Sequence, residues 1–202
     1  MTGVRRRIGV LSLQGSFSEH IRSVQRAGAV ASEIRLPSEI ADVDGLILPG
    51  GESTTILKLI DEYRLREPLR EAIAAGLPVL GTCAGVICLA NRISSHVMSP
   101  LGVLDISVSR NSFGRQVESF EEDLQIEGLS GPVFRGVFIR APVIESCGDG
   151  VRVLARLADG TVVACQEGNV LAACFHPEFV DDIRFHEQFL HLVEQHAMGD
   201  TA

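Results

Sequence analysis

The chain has 202 residues, 46% of them apolar and 22% charged, which suits one compact globular domain with a sizeable core. A formal charge of −8 argues against a nucleic-acid partner, because phosphate binding needs clustered Lys and Arg. No window approaches the ~20 apolar residues of a membrane span, and the apolar run after Arg5-Arg6-Arg7 is too short for a secretory signal.

The first half alternates strand and helix signals. Ile8 to Leu13 reads as a buried strand, followed by a helix capped by Ser16 or Ser18 that runs to about Ala27 and ends at Gly28. Ser32 to Leu36 and Asp44 to Leu48 are the next strands. A helical pattern covers Thr54 to Tyr63 and another Leu69 to Ala75, closed by Gly76. Pro78-Val79-Leu80 opens a fourth strand, with a helix over Ala84 to Asn91 behind it. Strands separated by helices imply a parallel sheet with right-handed crossovers.

The second half carries short apolar runs at Asp105–Val108, Gln116–Phe120, Val133–Ile139, Val151–Leu157, Val162–Gln166 and Val170–Phe175, with Glu167-Gly168-Asn169 as a hairpin tip. These predict partly antiparallel strands extending or flanking the sheet. A last helix, Asp181 to His196, should turn Ile183, Phe185, Phe189, Leu192 and Val193 inward. No repeat or long linker divides the chain, so residues 1–202 are expected to form a single mixed α/β domain.

Two motifs carry chemistry. Gly81-Thr82-Cys83-Ala84-Gly85 follows an apolar strand and precedes a helix, the pattern of a sharp elbow that presents a nucleophile. The amide dipoles opening that helix favour a thiolate. His176-Pro177-Glu178 lies far away in sequence. A residue before proline is biased towards extended backbone, where side chains two apart share a face. Glu178 can then hold one nitrogen of His176 while the other reaches Cys83, the Cys/His/acid logic of nucleophilic catalysis. The other cysteines, at 88, 147, 165 and 174, form no metal spacing. Cys88, Cys165 and Cys174 read as core residues and Cys147 as a loop residue. An odd, scattered set suits a reducing cytoplasm. No metal or cofactor is expected, and His20, His96, His186, His191 and His196 read as structural or solvated.

Pro49-Gly50-Gly51-Glu52-Ser53 ends another strand, and open α/β sheets place ligands beyond the carboxyl ends of their strands. The N–H groups of Gly51 and Ala84 are candidates for an oxyanion hole, in which losing one donor costs ~3 kcal/mol of transition-state stabilisation. Ser53 is also a natural N-cap for the helix that follows. Arg110 and Arg140 each follow an apolar strand and suit recognition of a ligand carboxylate.

Gly81 to Gly85 with His176-Pro177-Glu178 resembles the class I (triad) glutamine amidotransferases. More narrowly, Leu13-Gln14-Gly15, Leu48 to Thr55, Arg110-Asn111-Ser112-Phe113-Gly114-Arg115-Gln116, Phe138-Ile139-Arg140-Ala141-Pro142 and Phe175 to Glu178 look like the glutaminase subunits of pyridoxal phosphate synthases. The match runs from Ile8 to about Leu192. It implies a three-layer α/β sandwich with a mixed, mostly parallel, flavodoxin-like sheet. It also implies hydrolysis of L-glutamine through a Cys83–His176–Glu178 triad and a glutamyl thioester. Gly51, Glu52, Ser53, Arg110, Ile139 and Arg140 would contact the substrate, and ammonia would pass to a synthase subunit on which activity depends. Ser12 and Phe179 stand where alanine and leucine would be expected, at positions predicted to lie off the chemistry. Alternatives are a glutaminase of another class I amidotransferase, a cysteine peptidase of similar architecture, and an idle regulatory module. The intact Cys83/His176/Glu178 set argues against the last.

Overall fold

The computed structural model describes residues 5–94, 99–110 and 119–199. The first half contains β1 (Arg7–Leu11), α1 (Phe17–Arg26), β2 (Val30–Ile34), β3 (Gly45–Leu48), α2 (Ser53–Glu62), α3 (Arg66–Ala74), β4 (Val79–Thr82), α4 (Ala84–Leu89) and β5 (Ala90–Ile93). Then follow β6 (Leu104–Ser109), β7 (Ser119–Leu124), β8 (Phe134–Ile139), β9 (Val143–Cys147), β10 (Arg152–Arg156), β11 (Val162–Glu167), β12 (Val170–Ala173) and α5 (Arg184–Gly199).

The main sheet runs β2-β1-β3-β4-β12-β11-β9-β6-β5, with β10 also paired to β11. From β2 to β12 every neighbour is parallel, whereas β11 is antiparallel to both β12 and β9. The strands β3, β4 and β12 are buried at every residue, as central parallel strands covered on both faces must be. Consecutive residues of β4 show the two faces. Thr82 reaches His20 of α1, while a Cβ at Gly81 would lie 2.5 Å from Leu89 of α4. Helices α1 and α5 meet through His20 and His186 on one face of the sheet, and α2 packs on α4 on the other.

The hairpin β7–β8 stands apart from the main sheet. Phe138 stacks on Phe120 at 4.5 Å and meets Phe175 edge-on at 5.8 Å, so an aromatic cluster holds the hairpin against the end of β12. The His176 N–H donates to the Val137 carbonyl at 2.8 Å, completing the attachment.

Several expected elements shift. The second strand lies two residues earlier, at Val30, because Gly28 (φ 87°) turns the chain straight into register with Arg7. The helix behind Cys83 stops at Leu89 rather than Asn91; Ala90 to Ile93 instead pairs with β6. The short segment Ala90-Asn91-Arg92-Ile93, buried only at its two ends, carries no strong preference of its own, and the available strand partner decides. Strand β9 has no counterpart among the expected elements, and Cys147 ends it rather than sitting in a loop. The last helix begins at Arg184, where the Asp182 carboxylate accepts the Arg184 N–H, and both Ile183 just before it and Leu192 within it are only half-buried. Gln116 to Glu118 of the expected strand lie outside the described residues, as does His96, and β7 begins at Ser119. Cys88, Cys165 and Cys174 are buried and free, and burial pushes the first two thiols up to about 12. Among the described residues no helix is long and apolar enough to cross a membrane.

Candidate active site

The site grows from the end of β4. Cys83 adopts φ 46° and ψ −106°, a left-handed backbone that costs a non-glycine residue about 1–3 kcal/mol. Its N–H donates to the Ala173 carbonyl at 2.8 Å and its carbonyl accepts from Val86 at 3.1 Å, so both sides of the elbow are fixed. Gly85 is required here for proximity: a Cβ would lie 2.0 Å from the Leu48 carbonyl oxygen, so only glycine lets α4 fold back this tightly. Ala84, the first residue of α4, leaves its N–H outside the helical ladder.

His176 lies just beyond β12, the strand parallel to β4, so the topology alone brings it beside Cys83. A Cβ at Gly50 would lie 2.4 Å from the His176 Cε1 and 3.2 Å from the Cys83 Cβ, placing these three residues in one knot. His176 Nδ1 donates to Glu178 Oε1 at 2.8 Å, which leaves Nε2 for the thiol. The thiol also lies 3.8 Å from the Ile139 carbonyl. Burial alone would lower the basicity of His176, but hydrogen bonds with Cys83 and Glu178 outweigh it and raise its pKa to about 10. Burial likewise pushes the Glu178 carboxyl up, yet His20, His176 and the Ser16 hydroxyl together hold it at about 2. The Ser16 hydroxyl donates to Glu178 Oε1 at 2.6 Å.

These groups line or back a cavity of about 450 Å³, within the usual range for small-molecule sites. Gly51, Glu52, Ser53, Cys83, Ala84, Arg110, Ile139, Arg140 and His176 all line it, and Glu178 sits behind His176. Arg110 donates to Glu52 at 2.8 Å and to Thr54 at 2.9 Å. Arg140 carries φ 43°, so the chain turns at the cavity edge in a conformation unusual for arginine. The Gly50 carbonyl accepts the Ser16 N–H at 3.0 Å, while the Gly51 N–H has no acceptor among the described residues. Residues 111–116 of the Arg110–Gln116 string lie outside the described residues.

Three expectations are corrected. Ser16 occupies the N-cap of α1, but its hydroxyl makes no cap bond and serves Glu178 instead. The helix α2 is capped by Glu52, which accepts the Thr54 and Thr55 N–H groups, and Ser53 is merely its first residue. Phe179 does touch the site, stacking on the His176 ring at 4.9 Å with 18° between planes. Ser12 stays outside the cavity, where its hydroxyl accepts from Arg35. Sequence motifs alone give Ser16, Thr82, His20 and His186 no part in the site. The available signal was His20 on the same helical stripe as buried Ser23 and Val24 of an otherwise polar helix.

A mixed sheet with a strained cysteine elbow, a histidine at the neighbouring strand end and a carboxylate behind it defines a glutamine amidotransferase-type α/β protein. The chain belongs to the SNO glutamine amidotransferase family, which matches residues 10–195. It is 54% identical over 189 residues to the pyridoxal 5′-phosphate synthase subunit PdxT of Bacillus licheniformis, covering 94% of this chain and 95% of that one. The subunit of the same name from Parafrankia sp. is 56% identical over 189 residues, covering 93% of each. A crystal structure described as a glutamine amidotransferase superposes with a TM-score of 0.88 at 50% identity, covering 93% of this chain and 98% of that one. At 18% identity, a putative GMP synthase protein from Thermoplasma acidophilum shares the fold, with a TM-score of 0.71, covering 98% of this chain and 99% of that one.

Proposed function

We propose that this protein is the glutaminase subunit of a pyridoxal 5′-phosphate synthase, hydrolysing L-glutamine to L-glutamate and ammonia as a single cytoplasmic domain. The observation that carries the reading is the buried His176–Glu178 pair, 2.8 Å apart, at the strand end beside the strained Cys83 elbow. The Cys83 thiolate attacks the side-chain amide carbon, forming a C–S bond and a tetrahedral oxyanion. The N–H groups of Gly51 and Ala84 receive that oxyanion. His176, protonated and held by Glu178, gives its proton to the amide nitrogen as the C–N bond breaks, releasing ammonia and leaving a glutamyl thioester. His176 then takes a proton from water, whose oxygen attacks the thioester; glutamate leaves and the thiolate returns.

Gly51, Glu52, Ser53, Arg110, Ile139 and Arg140 form the substrate contacts in this reading. Arg110 is already engaged by Glu52, so a substrate carboxylate there shares or replaces that ion pair. Ammonia goes to a separate synthase subunit, the role that the name of the PdxT relatives suggests. The test is ammonia release by wild type and Cys83→Ala, each with and without the synthase subunit. Wild type should be active mainly with the partner, and the variant should lose more than ~10³-fold while still binding it. Undiminished turnover by Cys83→Ala rules the assignment out.

A further inference from the structure

Behind Glu178 lies a buried polar chain for which the reaction above has no use. His20 of α1, His186 of α5 and Thr82 of β4 are all fully buried. His20 Nδ1 lies 3.0 Å from His186 Nε2, and His20 Nε2 lies 3.0 Å from the Thr82 hydroxyl. The same Nε2 is 3.3 Å from Glu178 Oε2, an oxygen that has no hydrogen-bond partner among the described residues. Thr82 Oγ1 also accepts the Gly50 N–H at 3.1 Å. One imidazole therefore stands between the carboxylate that holds His176 and the hydroxyl that holds the glycine loop.

The hydrogen positions follow from satisfaction. His186 Nδ1 is buried and without a partner among the described residues. An orphaned lone pair is cheaper to bury than an orphaned N–H, so the His186 proton sits on Nε2 and is donated to His20 Nδ1. His20 then carries its own proton on Nε2, directed at Thr82 and Glu178. The opposite arrangement fails twice: it strands an N–H on His186 and turns a lone pair of His20 towards a carboxylate. The first arrangement leaves one donor, the Thr82 O–H, without an acceptor among the described residues. The ionisable groups facing His20 are His186 from α5, Glu178 and His176 from beyond β12, and Glu19 from its own helix; Arg26 also faces His186. Burial lowers the basicity of both imidazoles, in keeping with neutral rings.

Resting on the glutaminase reading above, we infer that His20, with its tautomer set by His186, is a positioning residue for the reaction. Its Nε2–H donates to the Thr82 hydroxyl and lies 3.3 Å from the inner oxygen of Glu178, so that one buried group holds the Gly50 peptide through Thr82 and steadies electrostatically the carboxylate that orients His176. Neither histidine touches the substrate cavity, which separates this role from binding.

Long-range proton–nitrogen spectra of the 15N-labelled full chain at pH 7 read the tautomers without any substitution. Protons on Nε2 of both His20 and His186 are expected, and an Nδ1–H on either overturns the inference. In glutamine hydrolysis with the synthase subunit present, His186→Phe should lower kcat at least ~10-fold, the scale of a small misalignment. KM should stay within about twofold. His186→Gln, whose amide N–H replaces the Nε2 donor, should recover most of that loss. Wild-type kcat in His186→Phe, or equal losses in both variants, overturns it. Cys83→Ala distinguishes the two levels: an active Cys83→Ala removes the glutaminase reading, whereas an inactive one with a wrong tautomer removes only this inference.

Discussion

The site contains two carboxylate–cation pairs of the same length in opposite environments, one behind the cavity wall and one on it. His176–Glu178 and Arg110–Glu52 each close at 2.8 Å. The first has side-chain exposures of 7% and 0%, the second 19% and 48%. Both carboxyls are held at about 2 against the upward push of burial, but by different means. Glu178 depends on His20, His176 and Ser16, whereas Glu52 depends on the N–H groups and hydroxyls of Thr54 and Thr55 at the start of α2. A buried pair that loses one member leaves a charge with no water to receive it. An exposed pair that loses one member is rescued by solvent. The inner pair is therefore suited to alignment and the outer one to a contact that a ligand can displace.

Substitution should separate the two pairs. Glu178→Gln keeps the volume but removes the charge that orients and supports protonated His176; kcat is expected to fall on the order of 10³-fold with KM little changed. An unaltered kcat would place Glu178 outside the chemistry.

The next effect is on acid stability. His186 titrates at about 3 in the fold against an ordinary 6.5, so its contribution is full above pH 6.5 and is lost as pH falls towards 3. Glu178, at about 2 against 4.5, adds a loss in the same direction below pH 4.5. His176 has the opposite sign, stabilising below pH 6.5 and losing that contribution as pH rises through about 10. At pH 4 the loss from His186 alone is ~3 kcal/mol, or roughly 10 °C in Tm for a chain of this size. Thermal melts from pH 7 to pH 4 check this, and His186→Gln should flatten the upper part of the slope.

At the outer wall, Arg110→Ala should raise KM for glutamine roughly tenfold while changing stability by less than ~0.5 kcal/mol. A kcat defect as large as that of Glu178→Gln would erase the contrast. The smallest effect belongs to Phe179→Leu. Loss of ring stacking on His176 at ~0.5 kcal/mol corresponds to about a twofold change in kcat/KM. Phe179 is 44% exposed, so an effect seen only with the synthase subunit present would move its role from the ring to the partner surface.

The parallel half of the fold was legible because its cues are local. Apolar runs, Gly28 and Gly76 at helix ends, and the Cys83 elbow each depend on neighbours in sequence. The same locality explains the misses: β9 and the early end of α4 depend on pairing with β6, which lies elsewhere in the chain. The caps escape a sequence reading because Ser16 and Ser53 look alike as isolated polar residues before a helix. Only the fold shows that Glu178 competes for the first and that Glu52 displaces the second.

The sequence by itself determined the kind of protein and singled out Cys83, His176 and Glu178 as the residues to be brought together, since motif identity and helix-end chemistry are written in adjacent residues. Tertiary structure decided the surroundings of the carboxylate: which oxygen meets Ser16, that His20 and His186 stand behind it, and that Phe179 covers the ring in front. Those contacts join residues up to 166 positions apart, and desolvation, which sets their strength, exists only once the layers have closed.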